Sequence, residues 1–272
     1  MFRNIQLMLQ QALNIKKRFL KMYSNANAGH IGSSLSCTEI LTFIFFGWKA
    51  ENEEVVLSKG HAAAALYSVL AEKEIITQND IDSFYKNGTY LPAHPPAGKL
   101  KGIPFATGSL GHGLSLAAGF GLSKKLKEVD DKVFCVTSDG ELNEGSIWEA
   151  AMFIAHHNLT NVIWFIDKNN LQGFGRTQDV MDMNLLSKKI EAFGWDVVTI
   201  DGHNFDEMAA IKQQHSSYTK PLAIICNTIK GKGWTKYQNQ VDCHYLPMKE
   251  TDFEDIILNL ETAFSQQKHS NA

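Results

Sequence analysis

Two buried strands joined by one amphipathic helix constrain the fold of this chain most strongly. Residues 133–137 and 161–166 are short, mainly apolar runs, which are typical of strands buried on both faces. Between them, residues 146–157 carry apolar side chains at helical spacing. A strand–helix–strand unit of this kind forms a right-handed crossover between parallel strands. The loops that follow the two strands therefore lie at the same edge of a sheet.

These two loops carry groups that suit a metal-bound diphosphate. Asp139 and Gly140 follow the first strand, and Asn169 follows the second strand, thirty residues after Asp139. Mg²⁺ prefers hard oxygen ligands, which a carboxylate, a side-chain amide, a backbone carbonyl and phosphate oxygens would supply. Gly140 would let the backbone approach a phosphate closely. The spacing therefore predicts a magnesium site at this edge of the sheet.

Strand and helix patterns also alternate along the rest of the chain. Helices are expected over residues 4–22, 62–73, 112–128 and 206–215, and further strands over residues 55–58, 195–200 and 222–229. A capping box over residues 251–254 is expected to open a last helix. Residues 86–112 are rich in proline and glycine and are expected to be irregular, and segments of that length are usually functional. The alternation predicts an α/β fold with three layers (α/β/α) and a mainly parallel sheet, in which residues 1–272 form one domain and residues 266–272 are a polar tail.

The composition is that of a soluble globular protein and excludes several classes of function. Of the 272 residues, 44% are hydrophobic and 20% are charged. A net charge of −3 offers no basic field for nucleic acid, and residues 40–48, the longest apolar stretch, are too short to span a bilayer. The N-terminus lacks the hydrophobic region of a signal peptide, and the four cysteines show no metal-ligand or redox spacing. We therefore expect a cytoplasmic protein that binds neither nucleic acid nor a membrane.

Three more loops combine glycine with histidine. They span residues 28–34, 57–62 and 106–113. Each lies where a strand ends or a helix begins, so that free backbone N–H groups can bind anionic oxygens. Singly, each loop is more typical of a cap or a turn. Together with Asp139 and Asn169, and in this order, they resemble the N-terminal, diphosphate-binding domain of the transketolase family, over about residues 8–248.

The resemblance implies thiamine diphosphate as the cofactor, held with Mg²⁺, for which Ca²⁺ or Mn²⁺ could substitute. The implied metal ligands are Asp139, Asn169 and the carbonyl of Leu171. The residues implied to bind the cofactor are Ser33, His61, Gly108, Ser109, Leu110, Asp139, Gly140, Asn169, Lys230 and His244. The residues implied in catalysis are His30, His61, His94, His244 and Glu144. By the same resemblance, Glu144 would pair with its counterpart across a dimer and link the two cofactors.

The resemblance also implies the reaction and a partner. The reaction is the transfer of a two-carbon ketol unit from a ketose (phosphate) to an aldose (phosphate), in carbohydrate metabolism. In the family, the glutamate that activates the cofactor belongs to a following pyrimidine-binding domain, which is absent from these 272 residues. We therefore expect the diphosphate-binding subunit of a split transketolase, active only with a partner subunit that carries the pyrimidine domain. Two subunits of each kind are expected, in a heterotetramer that self-associates across a two-fold axis.

Two alternative functions fit the same residues. One is a subunit of another split thiamine-diphosphate enzyme, such as a specialised ketol or acyl transferase or a 2-oxo-acid dehydrogenase. The other is a non-catalytic module that binds Mg²⁺ and thiamine diphosphate. The histidines argue against such a module, because binding alone does not require sugar-facing histidines.

The chain departs from the family pattern at several positions. Ser138 replaces the first glycine of the metal motif, and residues 243–246 read Cys-His-Tyr-Leu where the family tends to have Trp-His-Gly-Lys. The absence of that lysine means that the family pattern does not predict this part of the substrate pocket. Lys59 and Lys232 are as compatible with solvated surface charges as with a functional role, and His203 is expected at the surface.

Overall fold

Five parallel strands form the sheet of the computed structural model, which describes residues 2–98 and 100–270. The strands are β1 Glu54–Leu57, β2 Val133–Ser138, β3 Val162–Lys168, β4 Asp196–Asp201 and β5 Leu222–Asn227. Their order across the sheet is β1-β2-β3-β5-β4, and each neighbouring pair is parallel. The predicted α/β fold with a mainly parallel sheet is confirmed.

Helices connect these strands and precede and follow them. They are α1 Phe2–Ala26, α2 Ile31–Thr42, α3 Ala63–Glu72, α4 Gln78–Asp82, α5 Gly113–Leu126, α6 Gly145–His156, α7 Thr177–Val180, α8 Leu186–Ala192, α9 Phe205–Gln214, α10 Asp242–Tyr245 and α11 Glu250–Ser270. A π-helical turn over Phe43–Trp48 extends α2, and 3₁₀ turns span Gly60–Ala62, Gly140–Asn143 and His215–Ser217. The helices and strands expected from the sequence occur, with small differences at their ends.

Helices cover both faces of the sheet, because successive strand residues point to opposite sides. In β2, Phe134 and Val136 join a core formed with α1, α2, α3 and α9. Val133 and Cys135 of the same strand join a second core formed with α5, α6 and α8. All four side chains are fully buried. The strands are therefore apolar on both faces, and the architecture has the three expected layers.

The second helix has no recognisable pattern in the sequence, and its burial explains why. Each residue of α2 is buried, so the helix shows no alternation between an apolar and a polar face. Together with the π-helical turn, the window Ile31–Trp48 is long and apolar enough to cross a membrane by length and composition. In this fold, however, 83% of that window is buried inside the protein.

The last helix begins earlier than the sequence indicates. Thr251 lies inside α11, so the capping box expected at residues 251–254 is wrong. Instead, the carboxylate of Asp252 accepts a hydrogen bond from the backbone N–H of Lys249 at 3.2 Å, which satisfies one free donor at the start of the helix. The helix then continues to Ser270, through most of the expected tail, and residues 271–272 lie outside the described residues.

Candidate active site

The carboxyl ends of the strands bring the predicted loops together around a cavity of about 270 Å³. Such a crevice is expected at the carboxyl edge of a parallel sheet. The predicted residues that line it are His30, Ser33, His61, His94, Gly108, Leu110, Gly140, Asn169, Leu171, Lys230 and His244. The remaining lining residues are Ser138, Gln172, Gly173, Phe174 and Tyr245.

Four histidines from four separate segments meet at this cavity. His30 immediately precedes α2, His61 lies in the turn after β1, His94 lies in the irregular segment, and His244 lies in α10. The ring centre of His30 lies 5.6 Å from that of His61, 6.0 Å from that of His94 and 5.2 Å from that of His244. The rings of His61 and His244 are 5.4 Å apart. The four rings therefore form one cluster.

Burial keeps these histidines neutral at neutral pH. It lowers the pKa of His30 to about 4, with His94 as the second cause, and the pKa of His244 to about 3, with Lys230 as the second cause. Burial also lowers the pKa of His94, and lowers that of His61 well below its ordinary value. A neutral imidazole has one N–H donor and one acceptor nitrogen, so a ring whose two nitrogens are both free can bind a hydroxyl in either role.

Lys230 places a buried cation in the same wall. Its ammonium donates to the carbonyl oxygen of Leu171 and to Nδ1 of His244, each at 2.8 Å. Nδ1 of His244 is therefore the acceptor, and its Nε2 atom carries the proton. Burial lowers the pKa of Lys230 to about 8, and repulsion from Lys59 adds to this effect. A cation held in a cavity wall favours an anionic ligand beside it.

Asp139 is a buried carboxylate at the edge of the sheet, only 1% exposed. It accepts hydrogen bonds from the backbone N–H groups of Gly140 at 3.0 Å and Asn170 at 2.7 Å, and from the hydroxyl of Thr177 at 2.9 Å. Burial raises its pKa to about 6, and repulsion from Asp167 adds to the rise. A cation bound beside Asp139 would offset both causes.

The predicted metal ligands fit a hard cation that is shared with a diphosphate. The side-chain oxygen of Asn169 accepts a hydrogen bond from the N–H of Leu171 at 3.1 Å, which leaves it a further lone pair. Within the described residues, no group of three His, Cys, Asp or Glu side chains is placed to hold a metal ion. A metal here would have Asp139 as its carboxylate ligand and would need further negative oxygens from a ligand. The donor set thus suits a magnesium–diphosphate complex better than a metal bound by protein groups alone.

Ser33 adds a hydroxyl that the protein leaves unpaired. It is 1% exposed, and its Oγ atom has no hydrogen-bond partner among the residues that the structure describes. It also lines the cavity. An unpaired buried hydroxyl costs about 1–3 kcal/mol, which a ligand atom bound to it would offset.

Lys59 is not a solvated surface charge but half of an ion pair buried beneath the cavity. Its ammonium is bonded to the carboxylate of Asp167, and both side chains are 0% exposed. It also donates to the carbonyl of Ser33 at 3.1 Å. Asp167 accepts further hydrogen bonds from the hydroxyls of Ser36, at 2.6 Å, and Thr228. The pair therefore fastens the first turn of α2 to the ends of β1, β3 and β5.

Glu141 is a second buried carboxylate, which the sequence pattern does not single out. It is 0% exposed and accepts hydrogen bonds from the hydroxyl of Ser58, from the N–H of Gly111 at 2.8 Å and from the N–H of Ser138 at 3.2 Å. Burial raises its pKa. Glu141 thus holds the ends of β1 and β2 against the loop at residues 106–113.

A glycine allows His94 to pack against that loop. Gly108 has a φ of +150°, which side chains rarely adopt, and a side chain there would place its first carbon 3.0 Å from the His94 ring. On the other side, the hydroxyl of Tyr67 donates to the carbonyl of His94 at 3.1 Å. His94 is therefore held between the loop and α3.

The cavity lining does not include the side chain of Asp139, which lies between the lining residues Ser138 and Gly140, and it also does not include Ser109, Glu144 or His203. Ser109 and Glu144 are exposed, and Glu144 precedes α6 without a capping hydrogen bond from its side chain. The expectation that His203 lies at the surface is wrong, because its side chain is 4% exposed. Its Nδ1 atom lies 3.0 Å from the carboxylate of Glu39, and its Nε2 atom accepts a hydrogen bond from the N–H of Ile229 at 3.0 Å.

Comparison with known proteins shows that the chain is similar to transketolase subunits. Residues 10–265 match the family model of the transketolase thiamine diphosphate binding domain. The chain is 37% identical over 268 residues to a 6-deoxy-6-sulfo-D-fructose transketolase subunit of Clostridium sp. (strain MSTE9), covering 94% of this chain and 97% of that subunit. It is 34% identical over 269 residues to an apulose-4-phosphate transketolase subunit of Phocaeicola vulgatus, with 94% of each chain covered.

Full-length transketolases match with a different coverage. The human transketolase is 32% identical over 274 residues, which cover 97% of this chain but 44% of the human protein. The crystal structure of the Campylobacter jejuni transketolase superposes with a TM-score of 0.86 at 27% identity, covering 95% of this chain and 43% of that chain. The chain thus spans nearly the whole of the subunit relatives and less than half of the full-length enzymes. It belongs to the family of transketolase thiamine-diphosphate-binding domains.

Proposed function

We propose that this chain is the cofactor-binding subunit of a two-subunit transketolase that uses thiamine diphosphate and Mg²⁺. The observation that carries the proposal is the cavity itself, where four neutral histidines, a buried lysine and Asn169 meet at one edge of the sheet. Asp139 lies at the same edge, between the lining residues Ser138 and Gly140. When bound, thiamine diphosphate supplies the nucleophilic carbon for transfer of a two-carbon ketol unit.

The chain's own residues divide into a phosphate end and a sugar end. Asp139, Asn169 and the carbonyl of Leu171 would hold Mg²⁺, for which Ca²⁺ or Mn²⁺ could substitute. Lys230 would lie beside the diphosphate and neutralise part of its charge. Since Lys230 donates to the Leu171 carbonyl in this structure, that carbonyl would have to serve both the ammonium and the metal, or exchange one for the other.

The histidine cluster would serve the sugar end. A neutral ring can accept a hydrogen bond from one hydroxyl and donate its N–H to another oxygen, whereas His244, whose Nδ1 atom accepts from Lys230, can only donate from Nε2. His30 lies at the centre of the cluster, within 6.0 Å of three other rings between ring centres, so a hydroxyl bound there would contact more than one histidine. Such groups would orient a ketose or aldose, with or without a phosphate, and hold protons during the reaction. A module that only binds the cofactor would not require them.

The remaining part of the enzyme would come from a partner. The chain covers less than half of the full-length transketolases, whereas its subunit relatives have nearly its own length. We propose that residues 1–272 act as one diphosphate-binding domain and that a separate chain carries the pyrimidine domain. Exposed Glu144 would contact a second copy across a two-fold axis, giving a heterotetramer located in the cytoplasm. The subunit relatives favour this function over a 2-oxo-acid dehydrogenase subunit.

Calorimetry of thiamine diphosphate binding tests the proposal. Binding by the wild-type chain should require Mg²⁺, and Asp139→Ala should abolish it, because the site then lacks its carboxylate ligand. Asn169→Ala keeps the charge and should weaken binding less. Asp130→Ala, which removes an exposed aspartate, is the matched control and should bind like the wild type. Unchanged affinity in Asp139→Ala would place the metal site elsewhere.

A further inference from the structure

A tyrosine stands at the rim of the cavity. The ring centre of Tyr245 lies 4.5 Å from that of His244 and 6.4 Å from that of His30. The residue lines the cavity and is 52% exposed. One side of the ring thus lies against the histidine cluster, while the remainder faces solvent.

The hydroxyl end of this tyrosine lies against the turn that follows β3. A side chain at Gly173 would place its first carbon 2.1 Å from the tyrosine oxygen and 3.4 Å from Nε2 of His244. Position 173 must therefore remain glycine while Tyr245 keeps this position. The ring spans the rim between the histidine cluster and this turn.

Backbone contacts on both sides hold the ring in place. The carbonyl of His244 accepts a hydrogen bond from the N–H of His30 at 2.8 Å, which ties α10 to the start of α2. In the turn, the N–H of Gln172 donates to the carbonyl of Gly175 at 2.8 Å. The oxygen of Tyr245 itself lies against Gly173. The ring is therefore held in its position by packing against its neighbours.

We propose that Tyr245 determines which substrates the cavity accepts, because its ring limits the space for the part of a sugar beyond the two transferred carbons. This inference rests on the proposed function. The histidine cluster would hold the reacting end of the sugar, and the tyrosine lies directly beside that cluster on the solvent side. A two-carbon aldehyde would fit without reaching the ring, whereas a five-carbon aldose would press against it.

The test compares a short and a long acceptor in the reconstituted two-subunit enzyme. Hydroxypyruvate serves as the donor, and the ratio of kcat/KM for D-ribose to kcat/KM for glycolaldehyde is measured. Tyr245→Gly should raise this ratio about tenfold or more, the range expected when a pocket wall is removed. Tyr245→Phe keeps the ring and should leave the ratio within about twofold. Tyr85→Gly, which removes a tyrosine of similar exposure (56%) that does not line the cavity, is the matched control.

Four outcomes would overturn the inference. An unchanged ratio in Tyr245→Gly would mean that the ring does not limit the acceptor. An equal rise in Tyr245→Phe would assign the selectivity to the hydroxyl instead of the ring. A wild-type complex that binds thiamine diphosphate and Mg²⁺ but transfers no ketol unit to either aldehyde would contradict the proposed function and, with it, this role. If thermal unfolding shows that Tyr245→Gly is not folded, Tyr245→Leu, which keeps a smaller apolar side chain, replaces it. Tyr245→Leu should raise the ratio by an intermediate amount, and no rise would refute the inference.

Discussion

Removing Lys59 should destabilise the chain strongly, because it leaves the carboxylate of Asp167 buried without its counter-charge. Lys59→Met keeps the length and removes the charge. Breaking a buried ion pair on one side costs about 3–5 kcal/mol. Asp167 retains hydrogen bonds from the hydroxyls of Ser36 and Thr228, so we expect a loss near the lower end, about 3 kcal/mol in the free energy of unfolding.

The loss of stability in Lys59→Met should also depend on pH, and the pKa of Asp167 determines in which direction. In the wild type, burial raises the pKa of Asp167, but Lys59 outweighs this and the net pKa is lowered from 3.8. The pair therefore contributes fully above pH 3.8 and is lost as the pH falls further. In Lys59→Met, burial without the Lys59 charge should raise the pKa of Asp167 above 3.8, although the hydrogen bonds from Ser36 and Thr228 remain. The variant should therefore lose stability as the pH rises from 3.8 through the raised pKa, which is the pH window of this effect. The destabilisation should thus be larger at pH 8 than at pH 4.5, by up to about 1.4 kcal/mol per pH unit within the window.

Urea unfolding at pH 4.5, 6 and 8 measures both effects. The matched control is Lys101→Met, whose pair with Glu51 spans 3.8 Å between side chains that are 79% and 84% exposed. That change should cost less than about 0.5 kcal/mol. The double variant Lys59→Met/Asp167→Asn should recover part of the loss, since no buried charge remains. A cost below about 1 kcal/mol for Lys59→Met, or one independent of pH, would refute the reasoning.

Three further predictions concern the histidines and the exposed glutamate. In the two-subunit enzyme, His30→Asn, His61→Ala and His94→Ala should each lower kcat by about 10²–10⁴-fold, and calorimetry should show that they lower cofactor affinity less than they lower kcat. Asparagine suits position 30 because its φ is +70°. Wild-type rates in all three would contradict their role. Without cofactor, the wild-type chain should lose stability towards urea as the pH falls from 6.5 to about 4, because folding lowers the pKa of His30 from 6.5 to about 4. This shift contributes up to about 3 kcal/mol to the free energy of unfolding, and His30→Asn should therefore make that free energy depend less on pH. Glu144→Lys should weaken self-association in analytical ultracentrifugation, whereas Glu74→Lys, at another exposed position, should not.

The sheet and its edge could be predicted because the strands are short, apolar runs followed directly by polar loops. That pattern places Asp139 and Asn169 at one sheet edge, as the structure confirms. Only the resemblance to a family predicts that the histidine loops lie at the same site. Their spacing alone does not indicate that the ring centres of His30 and His244, which are more than two hundred residues apart in the sequence, lie 5.2 Å from each other.

The buried charges could not be predicted, because each depends on a partner far away in the sequence. Lys59 and Asp167 are 108 residues apart, and Glu141 binds Ser58 from 83 residues away. The sequence nevertheless contains an indication of these buried charges: Lys59 follows the buried residues of β1, and Asp167 ends the buried run of β3. A charge at such a position has little access to water, and a partner at the same sheet edge is to be expected. The second helix could not be predicted for a different reason: it is buried on all sides, so its apolar residues show no helical periodicity.

Hydrogen–deuterium exchange at the reactive carbon of thiamine diphosphate tests the split-site account most directly. It needs no knowledge of the sugar substrate, and it reports whether the site holds the carboxylic acid that activates the cofactor. With Mg²⁺ and this chain alone, the cofactor should exchange at the rate of free thiamine diphosphate. On addition of the subunit with the pyrimidine domain, exchange should become faster by orders of magnitude. Fast exchange with this chain alone would contradict the account and would require an activating carboxylate within its 272 residues.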